Sequence, residues 1–136
     1  ITSLCDLGCG SGVLSIAAAK MGMQSVLAVD NNELAVAVTR KNITTNQVAN
    51  QVNVQHINLR EKFVDNQYDL VVANLFQELL IDLFKNPSFW KAKTYILSGF
   101  IKRREEELFQ QLPKNGIKIT EKCHRDDWGI WLLNWS

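Results

Sequence analysis

The stretch Leu4-Cys5-Asp6-Leu7-Gly8-Cys9-Gly10-Ser11-Gly12, followed at once by the alanine-rich apolar run Val13 to Met21, decides how the rest of this chain is read. Apolar residues, three alternate glycines and a second apolar run describe a buried strand, a tight turn and the start of a helix. Glycine tolerates positive φ and has no side chain to hold a ligand away, so such a turn reverses the chain and lets its backbone approach a bound molecule closely. The pyrophosphate-binding form of this turn is G-x-G-x-x-G. Here the spacing is G-x-G-x-G, with Asp6 two residues ahead of the first glycine. A carboxylate at that strand end would repel a diphosphate and welcome a cation.

S-adenosylmethionine, which carries an amino group and a sulfonium, meets that requirement better than a dinucleotide does. A tight turn with no ligand is the plainer alternative. The composition sets no obstacle: 136 residues make one domain, which buries about two thirds of the surface its unfolded chain exposes. Hydrophobic residues at 46%, charged residues at 21% and a formal net charge of +1 are ordinary for a soluble globular protein and give nucleic-acid binding no support. Cys5, Cys9 and Cys123 form no C-x-x-C pair, which argues for reduced thiols in a cytoplasmic setting and against a metal site. No apolar run is long enough to span a membrane, and nothing reads as a signal peptide, so the Asn42-Ile43-Thr44 and Asn134-Trp135-Ser136 acceptor patterns are taken as chance.

Outward from the glycine turn, a first helix runs from about Gly12 to Met21, with Gly22 as its stop. Ser25 to Val29 is an apolar strand ending at Asp30, about 20 residues past the turn, where a nucleoside-binding α/β unit places its ribose-binding acid. The alternative role for Asp30, a helix cap, is weakened because Asn31 and Asn32 could already cap. Glu33 to Asn46 reads as a helix with Leu34, Ala37 and Val38 on one side, and Gln51 to Ile57 as a third strand. It ends at Asn58-Leu59, where an amide and an apolar side chain could dock an adenine, although a solvated loop asparagine fits as well.

Tyr68 to Ala73 is the next apolar strand, read as central in a parallel sheet, and Asn74 closes it. Phe76, Leu79, Leu80, Leu83 and Phe84 form a helical stripe that Pro87 ends. Lys93 to Leu97 gives a fifth strand ending at Ser98-Gly99. Ile101 to Leu112 gives a helix with Ile101, Leu108 and Leu112 inward and a solvated charge run paired as Arg103 with Glu107. Gly116 to Cys123 and Trp128 to Trp135 then read as two strands joined around Arg125-Asp126-Asp127. That hairpin makes the sheet mixed, unlike a nicotinamide dehydrogenase.

With those segments in place the chain resembles the class I S-adenosylmethionine-dependent methyltransferases, and most closely the ribosomal protein L11 methyltransferases. The resemblance rests on residues 4–19, on Ala28-Val29-Asp30, on Asp69 to Leu75 and on Leu97-Ser98-Gly99-Phe100, and it covers nearly the whole chain. It implies an α/β, Rossmann-like, seven-stranded mixed sheet with helices on both faces and an antiparallel terminal hairpin. It also implies that Gly8, Gly10 and Gly12 pass under the methionine part of the cofactor and that Asp6 lies near its amino group. Asp30 would hold the ribose, Asn31 beside it would belong to the cofactor-binding set, Asn58 and Leu59 would flank the adenine, and Asn74 would face the reacting centre. The implied acceptor is a lysine or α-amino nitrogen of a ribosomal protein such as L11. Methyl transfer needs a neutral amine held in line with the methyl group, which an amide carbonyl at Asn74 could orient; the same asparagine could instead cap the helix after it.

The family places an amino-terminal domain, a linker and a helix ahead of the first strand, whereas Ile1 lies almost inside it. The expectation is therefore a single S-adenosylmethionine-binding domain over residues 1–136, without the substrate-recognition part, and with an exposed apolar face beside the first strands. A cofactor-binding module without activity is one rival reading and a nicotinamide dehydrogenase domain another. A small molecule or nucleobase is the alternative acceptor, the latter lacking an Asn-Pro-Pro-aromatic segment, since Asn74 is followed by Leu75-Phe76-Gln77.

Overall fold

Residues Leu4 to Leu7 are all buried, as an apolar strand covered on both faces must be, and they form the middle of strand β1, Ser3–Leu7. The computed structural model describes residues 1–62 and 67–136. After β1 come α1 (Val13–Lys20), β2 (Ser25–Asp30), α2 (Glu33–Thr45), β3 (Val52–His56), β4 (Leu70–Asn74) and α3 (Gln77–Phe84). A 3-10 turn at Pro87–Lys91 leads into β5 (Thr94–Ile101), then a second such turn at Lys102–Arg104, α4 (Glu105–Gln110), β6 (Ile117–Arg125) and β7 (Trp128–Trp135). The strands form one seven-stranded sheet in the order β3-β2-β1-β4-β5-β7-β6, with β7 antiparallel to both β5 and β6 and the other pairs parallel.

Side chains alternate along each strand, so the sheet has two cores. Helices α1 and α2 both belong to crossovers stepping from β1 toward β3, so handedness puts them on the same face. Their Ala18, Ala19, Val36 and Ile43 cover Leu4, Val26, Val54 and Val72 there. The crossover from β4 steps the other way and puts α3 on the opposite face, where Leu80, Leu83 and Phe84 join Leu108 of α4 over Leu7, Val29, Tyr95 and Trp131. The chain reverses direction of travel between β1 and β4, and at such a switch point the loops after adjacent strands splay apart into a crevice.

Several segments differ from the sequence reading. In α2 the inward residues are Val36, Thr39 and Ile43, while Leu34 and Val38 are exposed. Thr39 takes an inward place because its hydroxyl donates to the Gly10 carbonyl at 2.8 Å, which supports the glycine turn from below. Phe76 is 54% exposed and Gln77 is buried in its stead, its amide nitrogen donating to the Arg104 carbonyl. Strand β5 does not stop at Ser98-Gly99. A bulge there, with Gly99 at φ 95, lets it continue to Ile101, paired with Trp128, and this shortens the helix that follows. A Cβ on Gly99 would lie 2.3 Å from the Leu75 carbonyl oxygen, so a glycine is what permits β5 to run so close behind Asn74. In the charge run it is Arg104, not Arg103, that is paired among the described residues, with Glu78 at 2.7 Å and Glu107 at 3.3 Å, because the 3-10 turn rotates Arg104 toward α3. The exposed large apolar residues include Val13 and Leu14 at the start of α1 and Trp128 and Ile130 on the hairpin. Among the described residues no helix is long and apolar enough to cross a membrane.

Candidate active site

The crevice at the switch point is a cavity of about 350 Å³ lined by Gly8, Asp30, Asn31, Asn58, Leu59 and Asn74, together with Ile57, Arg60, Leu75, Phe76 and Leu79. The loops after β1, β2, β3 and β4 each supply part of its wall. Six of the residues selected from sequence thus meet in one place, and each sits where an apolar strand gives way to a polar end.

The glycine turn is pinned on every side. The amides of Gly8 and Cys9 donate to the Val29 carbonyl at 2.9 Å, and the Gly10 amide donates to Asp30 Oδ2 at 2.9 Å. From α2, Thr39 holds the Gly10 carbonyl and Asn42 Nδ2 donates to the Ser11 carbonyl at 2.8 Å. The three glycines answer to different constraints. Cβ atoms on Gly8 and Gly12 would meet Leu75 Cδ2 at 2.6 Å and Thr39 Cγ2 at 2.8 Å, whereas one on Gly10 would meet nothing within 4 Å. Gly10 therefore keeps space clear beside the turn, and Gly12 opens α1 in the left-handed region without a side-chain cap.

Asp6 is placed differently from the expectation. It lies 1% exposed behind the turn and outside the cavity wall, accepting a hydrogen bond from Ser15 Oγ at 2.7 Å. Burial pushes its carboxyl up from the ordinary value, opposed by the bond from Ser15, with Asp30 adding a smaller upward push. Its alternating position in β1 directs it to Ser15 in the first turn of α1, where it supports the glycine turn from behind.

Asp30 accepts the Gly10 amide on one oxygen and the Asn32 amide on the other. A carboxylate has about four acceptor sites, so lone pairs remain for a ribose diol. The capping role falls to Asn32, whose Oδ1 accepts from Leu34 and Ala35. The Asn31 carbonyl accepts from His56 Nε2 at 2.7 Å, which fixes that loop to the end of β3. Asn58 caps its own loop: Oδ1 accepts from the Arg60 amide, and its carbonyl accepts from Glu61 and Lys62, leaving the Nδ2 donors for a purine edge beside Leu59. Asn74 is the last residue of β4 and is exposed; its side chain has no hydrogen-bond partner among the described residues. It is not the cap of α3, whose N-cap is Phe76 without a side-chain bond.

Sequence reasoning did not select Ser15, Thr39, Arg60, Phe76 or Leu79. Arg60 forms an ion pair with Asp82 and stands 5.7 Å over the Phe76 ring, joining the β3 loop to α3 across the cavity. A second cavity, of about 480 Å³, adjoins the first; Asn74 lines both, and Ser98, Gly99, Arg125, Asp126, Trp128, Gly129 and Ile130 complete it. The ensemble suits a nucleoside joined to a charged amino acid: acceptors for a diol, donors for a base edge, apolar walls and clear space over a glycine turn.

Residues 2–133 match the family described as Ribosomal protein L11 methyltransferase (PrmA). The ribosomal protein L11 methyltransferase of Ruminiclostridium cellulolyticum is 38% identical over 130 residues, covering 93% of this chain and 41% of the relative. That of Desulforamulus reducens is 39% identical over 132 residues, covering 96% and 42%. The chain thus spans about two fifths of the length of these curated relatives. Among solved structures, the ribosomal protein L11 methylase of Lactobacillus delbrueckii subsp. bulgaricus superposes with a TM-score of 0.87 at 29% identity, over 98% of this chain and 69% of that one.

Proposed function

The chain belongs to the ribosomal protein L11 methyltransferase family, and from that membership we propose that it carries the S-adenosylmethionine site and the transfer centre of a protein N-methyltransferase. The acceptor is a lysine or α-amino group of an L11-like ribosomal protein, and the setting is the cytoplasm. The observation that carries this reading is the meeting of Gly8, Asp30, Asn58 and Asn74 around one cavity at the switch point. When bound, S-adenosylmethionine supplies a methyl group on a sulfonium: an amine lone pair forms the N–C bond as the C–S bond breaks, its electron pair staying on sulfur.

The chain's own residues hold and orient. Asp30 accepts from the ribose hydroxyls, and it links them to the Gly10 amide, so ribose binding and turn geometry are coupled. Asn58 and Leu59 take the adenine. The carbonyl oxygen of Asn74, at the border of the two cavities, accepts a hydrogen bond from the acceptor amine and aims its lone pair. Removing an interaction made in the transition state lowers kcat more than binding. Asn74→Ala is expected to bind S-adenosylhomocysteine in calorimetry as the parent does, and to lose about a hundredfold in methyl transfer to L11 from labelled cofactor. Retained transfer would remove Asn74 from the reacting centre, and a folded parent chain that fails to bind S-adenosylhomocysteine would overturn the reading altogether.

A further inference from the structure

A groove of about 530 Å³, larger than either cavity at the switch point, lies between the end of α4 and the start of β6. Strand β6 runs from Ile117 in this groove to Arg125 at the second cavity, so roughly 25 Å separates the two. The groove floor is the outer side of a core. Ile117 is buried in it, Leu112 packs against the same cluster, and Pro113 lies between them in sequence. Because α4 buries Leu108 completely, the next residue, Phe109, is turned outward at the groove and is 44% exposed. Lys114, Lys118 and Lys122 stand round this apolar floor, and no carboxylate among the described residues lines it. Lys122 is held in place, its ammonium 5.7 Å from the centre of the Phe109 ring and 3.5 Å from Glu105. Lys114 and Lys118 are exposed and have no acidic partner among the described residues.

We propose that this groove docks an acidic peptide segment of a partner protein, with one bulky aliphatic side chain resting on the floor and carboxylates on either side of it meeting the lysines. Charge complementarity selects that occupant. Uncompensated positive charges surround an apolar centre, which is the inverse of an apolar anchor flanked by acids. Lysines on an edge strand also guard it against pairing with other chains, and β6 is the last strand of the sheet. That role accounts for Lys118 and Lys122, but not for Lys114 on the turn before β6, nor for the apolar floor. A nucleic acid fits less well. Its bases stack on a bare aromatic face, whereas Phe109 is already faced by Lys122, and a net charge of +1 supplies no wider positive field for a phosphate backbone. A partner held at this end of β6 leaves both cavities at the switch point open.

The test uses the full chain with its six phenylalanines ¹⁵N-labelled, the Phe109 amide resonance being identified by its loss in Phe109→Leu. The probe is a blocked pentapeptide with one leucine between two pairs of glutamates. It is expected to move the Phe109 resonance saturably at low salt, with a Kd of about 1 mM or tighter. Replacing its leucine by alanine, or its glutamates by glutamines, should weaken binding about tenfold in each case. Lys114→Gln and Lys118→Gln should each weaken it about threefold, as for an exposed charge pair, while calorimetric binding of S-adenosylhomocysteine stays unchanged. The glutamine peptide probes the same charges on the unaltered chain. An unmoved Phe109 resonance, equal binding of the glutamine peptide, or a uridine oligonucleotide that moves Phe109 at a lower concentration than the peptide does would each overturn the docking assignment. The cofactor reading stands or falls separately, on S-adenosylhomocysteine.

Discussion

Gly99 shows at the scale of one residue how the site depends on a position with no chemistry of its own. Its φ of 95 lies where side chains are rarely found, and an added Cβ would lie within 3 Å of the nitrogen, carbon and oxygen of Leu75. Backbone cannot step aside as a flexible side chain can, so Gly99→Ala carries both a strained backbone and a displaced Asn74-Leu75 segment. We expect a loss of about 3 kcal/mol, or about 10 °C in Tm, together with weaker S-adenosylhomocysteine binding. Thermal melting of the variant reads the first, and a Tm within about 2 °C of the parent would exclude the close approach as a constraint. Gly99 was legible in the sequence only as a strand ending. That Gly8, Asp30, Asn58 and Asn74 share one cavity could be anticipated because each stands at a strand end, while the roles expected of them there came largely from the family resemblance. Ser15 and Thr39 were not legible, since hydroxyls on a helix acquire meaning only once packing aims them at Asp6 and Gly10.

Helix ends carry the next level. Both α1 and α2 close by the same pattern, the second residue after the cap bonding back to the third-last helical carbonyl: Met23 to Ala18 at 3.0 Å and Val48 to Ile43 at 2.9 Å. In α1 the left-handed position is Gly22, but in α2 it is Gln47 at φ 59. A glutamine there carries the left-handed cost that a glycine avoids, so Gln47→Gly should stabilise the chain by about 1 kcal/mol in urea denaturation, and a destabilised variant would mean that its side chain makes a compensating contact. Seven strands and the terminal hairpin were readable from apolar runs and turn residues. The inward face of α2 was not, because a helix with apolar residues at 34, 36, 38 and 43 has two plausible stripes, and the Thr39 bond to the turn selects one.

Strand starts show a similar tie. Asp69, just ahead of β4, accepts from the Thr2 and Ser3 amides at 2.9 and 3.2 Å and pairs with Lys93 Nζ at 2.6 Å, joining β1, β4 and the approach to β5. Lys93 and these amides hold its carboxyl well below the ordinary value of 3.8. A depressed folded-state pKa means that the unfolded chain binds more protons on acidification, so this contribution is present above the unfolded value and is lost as pH falls toward the folded one. In urea titrations Asp69→Ala should therefore lie below the parent in midpoint at pH 7, and the gap should close as pH drops below about 4. A gap that stays constant over that range would show that Asp69 acts through packing and not through its charge.

For the whole molecule, the consequence of the strand order is that one ligand would bridge parts of the chain far apart in sequence. The cofactor cavity takes its walls from Gly8 through Leu79, and its α3 wall packs over the core that also holds Tyr95, Leu97 and Trp131. A molecule bound there only in the folded state stabilises the entire cooperative unit, by about 2.7 kcal/mol at a concentration 100 times Kd. With an unfolding entropy of about 2.1 cal/mol/K per residue over 136 residues, that corresponds to a rise of about 9 °C in Tm. S-adenosylhomocysteine should produce this rise. Asp30→Ala should abolish most of it, since the variant loses both the ribose acceptor and the anchor of the Gly10 amide, interactions of a charged group that together are worth about 2–3 kcal/mol. NADH should leave the melting curve where it was, because Asp30 lines the cavity and already holds the Gly10 amide, so a diphosphate would meet a carboxylate where it needs free amides. A larger shift with NADH than with S-adenosylhomocysteine would sink the assignment of this cavity, whatever the family to which the chain belongs.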